Sequence, residues 1–243
     1  GEYTIEVTGV ANQQDATRTV TLDDSEDATE DIQLTAEPAS VSGAVFEDDG
    51  STQVNDGTVE IYEGQTDDSG SATATVDLSS TSGTYSFNDI APGDAHIVVT
   101  GVSGFQDDSR TVTLNEGEDR TGEDFTLTAI AVSSVTAPDA SANNAQATET
   151  YTAGLDKNAA ETVSFDLADG NLAEADINDV TVTTGTGSVT VQELVNGNAQ
   201  ATTDANGDVA LDITFEAGVD ATDTFQASAS ASTNSDGFTV TTT

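Results

Sequence analysis

Three oxygen-bearing side chains at alternate positions form the pattern in this sequence that comes nearest to a metal site. Asp204, Asn206 and Asp208 stand in the run DANGD, and carboxylate and amide oxygens are ligands that Ca²⁺ prefers. An EF-hand loop starting at Asp204 would need glycine and glutamate where this chain has Val209 and Phe215. The EF-hand is therefore excluded. Two interpretations stay open: a looser structural calcium site, and an ordinary hairpin turn around Asn-Gly.

The other residue types that carry chemistry are sparse. His96 is the only histidine, Lys157 is the only lysine, and the chain has no cysteine. A lone histidine is neither a zinc site nor half of a catalytic dyad, and we expect Lys157 to occupy a solvated loop. No nucleophile elbow or phosphate-binding glycine loop is present. We therefore predict no enzyme, no catalytic residues, and no cofactor or metal other than the possible structural calcium.

Part of the chain is duplicated. TGVANQQDATRTVTL (residues 8–22) returns as TGVSGFQDDSRTVTL (residues 100–114), at a constant spacing of 92 positions. DIQLTA (residues 31–36) returns as DFTLTA (residues 124–129), one residue further on. A repeat of this period indicates one small domain used in series.

The charge balance excludes some partners and indicates an environment. The sequence has 45 acidic and 4 basic residues, a net charge of −41, so it lacks the cations that neutralise nucleic-acid phosphates. Concentrated salt would screen the repulsion, and acidic side chains would keep the surface hydrated. We interpret this composition as that of an extreme halophile, in particular a haloarchaeon. We expect Arg18 and its repeat counterpart Arg110 to brace neighbouring carboxylates.

Apolar residues alternate with polar ones in many short runs separated by Gly, Asp, Asn and Ser, which predicts an all-β fold of tandem antiparallel β-sandwiches. Seven strands are expected between residues 39 and 129, one of them ending at Leu78. A different set, including a strand at Val189 and Val191, is expected after residue 130. The predicted domains are 1–37, 38–129 and 130–243.

The first domain reads as the C-terminal part of a sandwich repeat, with only three of its strands. We expect the apolar face of those strands to need an opposing sheet, supplied by preceding residues or by a neighbouring subunit. The residues of this face are Tyr3, Ile5, Val7, Val20, Leu22, Ile32 and Leu34.

Two segments resemble known families. GTYSFNDIAPG (residues 83–93), with VSGAVFEDDG before it and FTLTA after it, resembles carboxypeptidase regulatory-like domains, which are transthyretin-like β-sandwiches. TTDANGDVALDITF (residues 202–215) resembles the strand entry of invasin-type Ig-like domains. Both resemblances imply a fold and say little about function, because such sandwiches host many functions.

No apolar run is long enough to cross a bilayer. The expected function is that of an extracellular structural protein of a halophilic archaeal system, part of a stalk, fibre, filament or surface layer. Its partners would be copies of itself or other surface proteins, in a larger assembly. The alternatives are a spike, turret or tail-fibre protein on the exterior of a haloarchaeal virus, and an adhesin that binds a protein or a glycan. The absence of tryptophan disfavours glycan binding.

Overall fold

The structure is a computed structural model, and it describes residues 1–25, 27–143, 145–157, 160–230 and 232–242. The chain divides into two compact units. Unit 1 comprises residues 1–102 and 107–127, and unit 2 comprises residues 103–106 and 128–243. Each unit is described by itself below.

The fold is all-β, as the alternation predicts. The strands of unit 1 are β1 (Glu2–Val7), β2 (Ala16–Thr21), β3 (Ala39–Phe46), β4 (Thr58–Glu63), β5 (Ala74–Asp77), β6 (Thr84–Ile90), β7 (Gly93–Thr100), β8 (Asp108–Leu114), β9 (Asp119–Thr121) and β10 (Phe125–Thr126). Those of unit 2 are β11 (Val132–Thr136), β12 (Ala140–Ser141), β13 (Ala147–Leu155), β14 (Thr162–Leu167), β15 (Ile177–Thr184), β16 (Ala199–Thr202), β17 (Asp208–Phe215), β18 (Asp220–Ala229) and β19 (Ser232–Thr241). Two short helices, α1 (Leu78–Thr81) and α2 (Val191–Val195), and a 3₁₀ turn (Glu174–Asp176) complete the elements.

Unit 1 contains one complete sandwich. One sheet has the strand order β5-β4-β7-β8, and the other has the order β10-β3-β6 with β9 also paired to β3. Every second residue of these strands points inward, which is the period that a half-buried strand requires. The largest fully buried side chains in this core are Ile61, Leu78, Ile97, Leu114, Phe125 and Leu127.

The backbone around Glu123 approaches β3 closely. The carbonyl oxygen of Glu123 accepts a hydrogen bond from the Tyr85 hydroxyl, and the Glu123 N–H donates to the Ser42 oxygen at 3.1 Å. A Cβ on Gly43 would overlap the Glu123 carbonyl oxygen. Glycine at position 43 therefore lets the segment before β10 lie directly on β3.

Unit 2 is a second sandwich, with sheets of order β11-β13-β17-β15 and β12-β19-β18-β14-β16. Its centre is a cluster of aromatic rings around Tyr151, whose ring centroid lies 4.9 Å from Phe238 and 5.2 Å from Phe225. Phe225 stacks in turn on Phe165 at 5.6 Å. The Tyr151 hydroxyl donates to the Pro138 oxygen at 3.1 Å, so its polar end is satisfied inside an apolar core. Burial raises the pKa of this hydroxyl above its ordinary value.

The strand predicted to end at Leu78 forms as β5 but stops at Asp77, and two other predicted strands do not form. Leu78 begins helix α1, because the Asp77 carboxylate accepts from the Ser79 N–H and caps the helix start. Val191 begins helix α2, where Thr190 and Glu193 form a reciprocal capping box.

The third error is the strand expected at Ile32 and Leu34, which the structure does not form. In the second copy, the equivalent strand β10 pairs with β3. Residues 1–37 contain no counterpart of β3, so this segment has no strand with which to pair. A further strand, β9, was not expected between residues 39 and 129, which hold eight strands instead of seven.

Candidate assembly surface

The most exposed apolar side chains of the described residues lie near the start of the chain. Strands β1 and β2 form an antiparallel hairpin in continuous register, with Tyr3 opposite Val20 and Ile5 opposite Arg18. Tyr3 is 57% exposed, Ile5 40% and Val10 42%, and these are the exposed large hydrophobic residues of the described chain. We call the hairpin side that carries Tyr3, Ile5, Val7 and Val20, together with Val10, the open face.

The duplication shows what this face would look like if it were covered. The counterparts of the open-face residues are all buried in the second copy. They are Ala95, Ile97, Val99, Val102 and Val112. In the first copy no residue between 1 and 37 is buried among those described. The same apolar pattern is therefore core in one copy and accessible to solvent in the other.

The predicted apolar face thus exists, and one of its members was missed. Val10 was not included in the sequence prediction, although it has a clear counterpart. Thr8-Gly9-Val10 repeats as Thr100-Gly101-Val102, and Val102 is buried. The signal that identifies Val10 is the repeat, since it lies in a loop and outside the strand alternation.

The β1 edge of this hairpin is also open. In the described residues β1 pairs with β2 alone, whereas its counterpart β7 pairs with β8 on one side and β4 on the other. Exposed edges in unit 2 are interrupted or short: β11 and β15 carry register shifts, and β12 and β16 have two and four residues. Bulges and short strands discourage pairing with another chain. The β1–β2 register has no such shift, so β1 keeps an unprotected row of backbone donors and acceptors.

The calcium candidates Asp204, Asn206 and Asp208 lie in one tight turn that leads into β17. One Asp204 oxygen accepts from the N–H groups of Asn206 at 2.8 Å and Asp208 at 3.0 Å, and the other accepts from the Asn206 amide at 3.2 Å. The Asp208 and Asn206 N–H groups lower the pKa of Asp204. Its carboxylate therefore acts as the acceptor that holds the turn.

This turn is packed closely against the chain beside it. Gly207 has φ +82°, and a Cβ there would overlap the Lys157 carbonyl oxygen, which explains glycine at this position. Throughout the part of the chain that the structure describes, no group of three or more His, Asp or Glu side chains is arranged to hold a metal ion. Structural calcium at Asp204, Asn206 and Asp208 stays a prediction.

His96 lies on β7, between the buried residues Ala95 and Ile97, and is itself only partly buried. Its Nδ1 is 3.0 Å from the Thr111 hydroxyl oxygen, and its ring centroid is 6.5 Å from that of Tyr62. The Tyr62 hydroxyl donates to the Glu60 carboxylate at 2.6 Å, which raises the pKa of Tyr62 to about 12. The contacts of His96 with Thr111 and Tyr62 are of the kind that stabilise a structure.

Lys157 does not occupy the solvated position that we expected. Its side chain is only 14% exposed. Its Nζ donates to the Phe105 carbonyl oxygen at 3.0 Å and lies 3.7 Å from the Glu161 carboxylate. A long apolar stem with a paired ammonium can be largely covered in this way.

No protein-family model matches this chain, and no curated protein matches it. Several solved structures are similar in part. The major pilin subunit BcpA of Bacillus cereus has a TM-score of 0.34 at 10% identity, over 84% of this chain and 69% of that one. The Bacillus anthracis TIE protein has 0.38 at 11%, over 99% and 40%. The full-length major pilin SpaD from Corynebacterium diphtheriae has 0.33 at 13%, over 83% and 64%.

Proposed function

We propose that this chain is an extracellular structural protein built from serial β-sandwich modules, and that it forms part of a stalk, filament or surface layer. The observation that carries this proposal is the duplication, in which residues 8–22 return as residues 100–114 and residues 31–36 return as residues 124–129, because such a repeat indicates one small domain used in series. Residues 1–37 are, on this proposal, the C-terminal part of a module, followed by modules at 38–129 and 130–243.

The surface chemistry supports a scaffold in concentrated salt. All four basic side chains of the sequence already contact a glutamate: Arg18, Arg110, Arg120 and Lys157. The remaining carboxylates give a strongly negative surface that salt must screen. We therefore place the protein in a halophilic, and specifically haloarchaeal, system. None of the helices in the described residues is long and apolar enough to span a bilayer.

Immunogold electron microscopy of the source cells with antibodies against the purified chain tests this proposal. We expect label on filaments, stalks or the surface layer outside the cell envelope, and none with pre-immune serum. Label on virus particles would favour the virion alternative instead. Label confined to the cell interior would contradict an extracellular role altogether.

A further inference from the structure

The first and the last strands of the sandwich in unit 1 run side by side in the same direction. Strand β3 opens this sandwich, and β9 and β10 close it. Ser40 lies opposite Asp119 near the start of β3, and Phe46 lies opposite Thr126 at its end, both in parallel pairing. The start of β3 and the end of β10 therefore lie at opposite ends of the paired strands.

Backbone hydrogen bonds join β3 to the closing segment over its whole length. Near the start of β3 the Ser40 N–H donates to the Glu118 oxygen at 2.8 Å. At its end the Leu127 N–H donates to the Phe46 oxygen at 2.9 Å. At about 3.3 Å per residue, this contact extends over roughly 20 Å of strand. We call β3 together with residues 118–127 the clamp.

The middle of the clamp is tied by a side chain and lies beside the core. The Asp124 carboxylate accepts a hydrogen bond from the Ala44 N–H at 2.8 Å. Val45 pairs with Phe125 at the next position, and both of these side chains are fully buried. A hydrogen bond is electrostatically stronger in apolar surroundings than in water. The bonds around this pair are therefore harder to break than those of an exposed strand.

The direction of pairing decides how tension acts on these bonds. The chain enters β3 from residue 38 and leaves β10 toward residue 128, so a pull along the chain draws the two strands past each other. All the bonds of the clamp then carry the load together. If the same strands were antiparallel, entry and exit would lie at one end, and the bonds would break one at a time.

We propose that this sandwich bears tension along the chain, and that the clamp is the part that resists it in shear. The load enters at Ala39 on a strand that β6 also holds from its other side, and it leaves through β9 and β10. The inference rests on the proposed function and deepens it, because a module within a stalk or filament must transmit tension to the next module.

Single-molecule force spectroscopy of the full chain in high salt tests the clamp. The sequence has no cysteine, so pairs of introduced cysteines can carry the pulling handles. Glu37→Cys with Thr126→Cys pulls at opposite ends of the clamp, whereas Asp48→Cys with Thr126→Cys pulls at one end; all three positions are exposed. At equal loading rate we expect the first pair to need at least about twice the rupture force of the second, because forced unfolding follows the barrier along the pulling direction.

Matched variants locate the strength in the clamp. Asp124→Ala removes the acceptor of the Ala44 N–H and should lower the rupture force of the first cysteine pair. Asp94→Ala removes a carboxylate that accepts from the Thr113 hydroxyl at 2.7 Å, on β7 and β8 outside the clamp, and should leave that force unchanged. The comparison of the two cysteine pairs leaves the bonds of the clamp intact, so it does not depend on either alanine variant.

Equal rupture forces for the two cysteine pairs would overturn the inference, and so would a lower force for the first pair. Equal losses from Asp124→Ala and Asp94→Ala would also overturn it, because the strength would then lie outside the clamp. These results are separable from the microscopy. Label inside cells would contradict the surface role and leave the difference in force as it is, whereas surface label with equal forces would keep the surface role and remove the clamp.

Discussion

The guanidinium carbon of Arg110 lies 4.0 Å from the centre of the Phe125 ring. The same guanidinium donates to the Asp124 carbonyl oxygen at 2.6 Å and lies 3.4 Å from the Glu123 carboxylate. Stacking, hydrogen bond and ion pair together tie β8 to the segment that crosses to β10. A delocalised planar cation can satisfy all three at once, which a lysine ammonium cannot.

In the first copy Arg18 makes the equivalent ion pair and lies near the equivalent carbonyl oxygen, but its side chain is more exposed to solvent. Arg18 contacts the Glu30 carboxylate at 2.6 Å and lies 3.4 Å from the Asp31 carbonyl oxygen, and both partners are repeat counterparts of Glu123 and Asp124. The Arg18 side chain is 51% exposed, against 35% for Arg110. The predicted role of both arginines as braces of neighbouring carboxylates agrees with these contacts.

We expect Arg110→Ala to lower the free energy of unfolding of unit 1 by about 1–2 kcal/mol, because it removes the ring contact and a charge-assisted hydrogen bond. Arg18→Ala should cost less than about 0.5 kcal/mol, since exposed ion pairs contribute little. Urea unfolding in high salt measures both. Arg110→Lys is the control for charge, and it should recover less than half of the loss. Equal losses for the two alanine variants would contradict the distinction.

The sequence predicted the fold class because alternation is a local property. Ile97 and Val99 lie in phase on one strand, and their burial follows from that phase. The helix at Val191 was missed because its five residues are too few to show a helical period, although Thr190 and Glu193 carry the capping signal. Ile32 and Leu34 were assigned to a strand from their pattern alone, while a strand also needs a partner.

The candidate surface was predictable only in part. The duplication identified an apolar face. Residues of the first copy that align with buried residues of the second copy, such as Ala95 and Ile97, are expected to face inward. The open β1 edge could not be read from residue types, because it depends on which strands pair. The Lys157 environment likewise depends on the Phe105 carbonyl, which is distant in sequence.

Gly43 is predicted to be intolerant of any side chain, since a Cβ would overlap the Glu123 carbonyl oxygen and lie 3.0 Å from the Tyr85 hydroxyl oxygen. We expect Gly43→Ala to destabilise unit 1 by about 1–3 kcal/mol through overpacking. Differential scanning calorimetry should show this as a lower transition temperature for unit 1. Gly237→Ala is the matched control on a strand of unit 2, where the nearest atom is 4.0 Å away. A neutral Gly43→Ala would show that the crossing segment can move away.

Asp223 is a buried carboxylate that the sequence analysis did not single out. It lies in the same alternating phase on β18 as Phe225 and Ala227, and this phase is the feature of the sequence that indicates an inward-facing side chain. One oxygen accepts from the N–H groups of Asp169 at 3.0 Å and Thr224 at 2.7 Å, and the other accepts from two further N–H groups. Those two belong to Asn171 and Leu172, each at 3.0 Å.

Asp223→Asn should destabilise unit 2 by about 2–4 kcal/mol, because the new amide NH₂ would face backbone donors and leave them unsatisfied. Denaturant unfolding measures the loss. Asp220→Asn, at an exposed position on the same strand, makes the same chemical change and should stay within about 0.5 kcal/mol. Similar effects for the two variants would show that the four hydrogen bonds at Asp223 do not stabilise the loop at residues 169–172.

Several carboxylates accept hydrogen bonds within turns, and we expect the protein to lose stability when acid protonates them. Asp49 accepts from the Thr52 N–H and hydroxyl and from the Ser51 N–H, each at 2.7 Å, and these bonds lower its pKa from 3.8 to about 2. Because the folded-state pKa is the lower one, the stabilisation is complete above pH 3.8 and is lost as the pH falls toward 2. The pKa values of Asp77, Asp204 and Glu193 are lowered in the same way.

We therefore expect the unfolding free energy in high salt to fall between about pH 4 and pH 2. Asp49→Asn should reduce the pH dependence of unit 1, since an amide does not titrate. Denaturant unfolding at several pH values, with salt held constant so that repulsion stays screened, provides the measurement. Stability that rises steadily down to pH 2 would mean that relief of charge repulsion outweighs the turn hydrogen bonds.

The net charge of −41 predicts that folding depends on salt. At about 10 mM salt the screening length is about 30 Å, so carboxylates across a whole module repel one another. The basic residues cannot compensate, because 4 of them face 45 acids. We expect circular dichroism to show loss of the β signal as salt is removed, and its return when salt is restored. Sucrose is the control, since it favours burial without screening charge, and it should rescue the fold less than salt does. A full β signal at about 10 mM salt would contradict both the prediction and the halophilic interpretation.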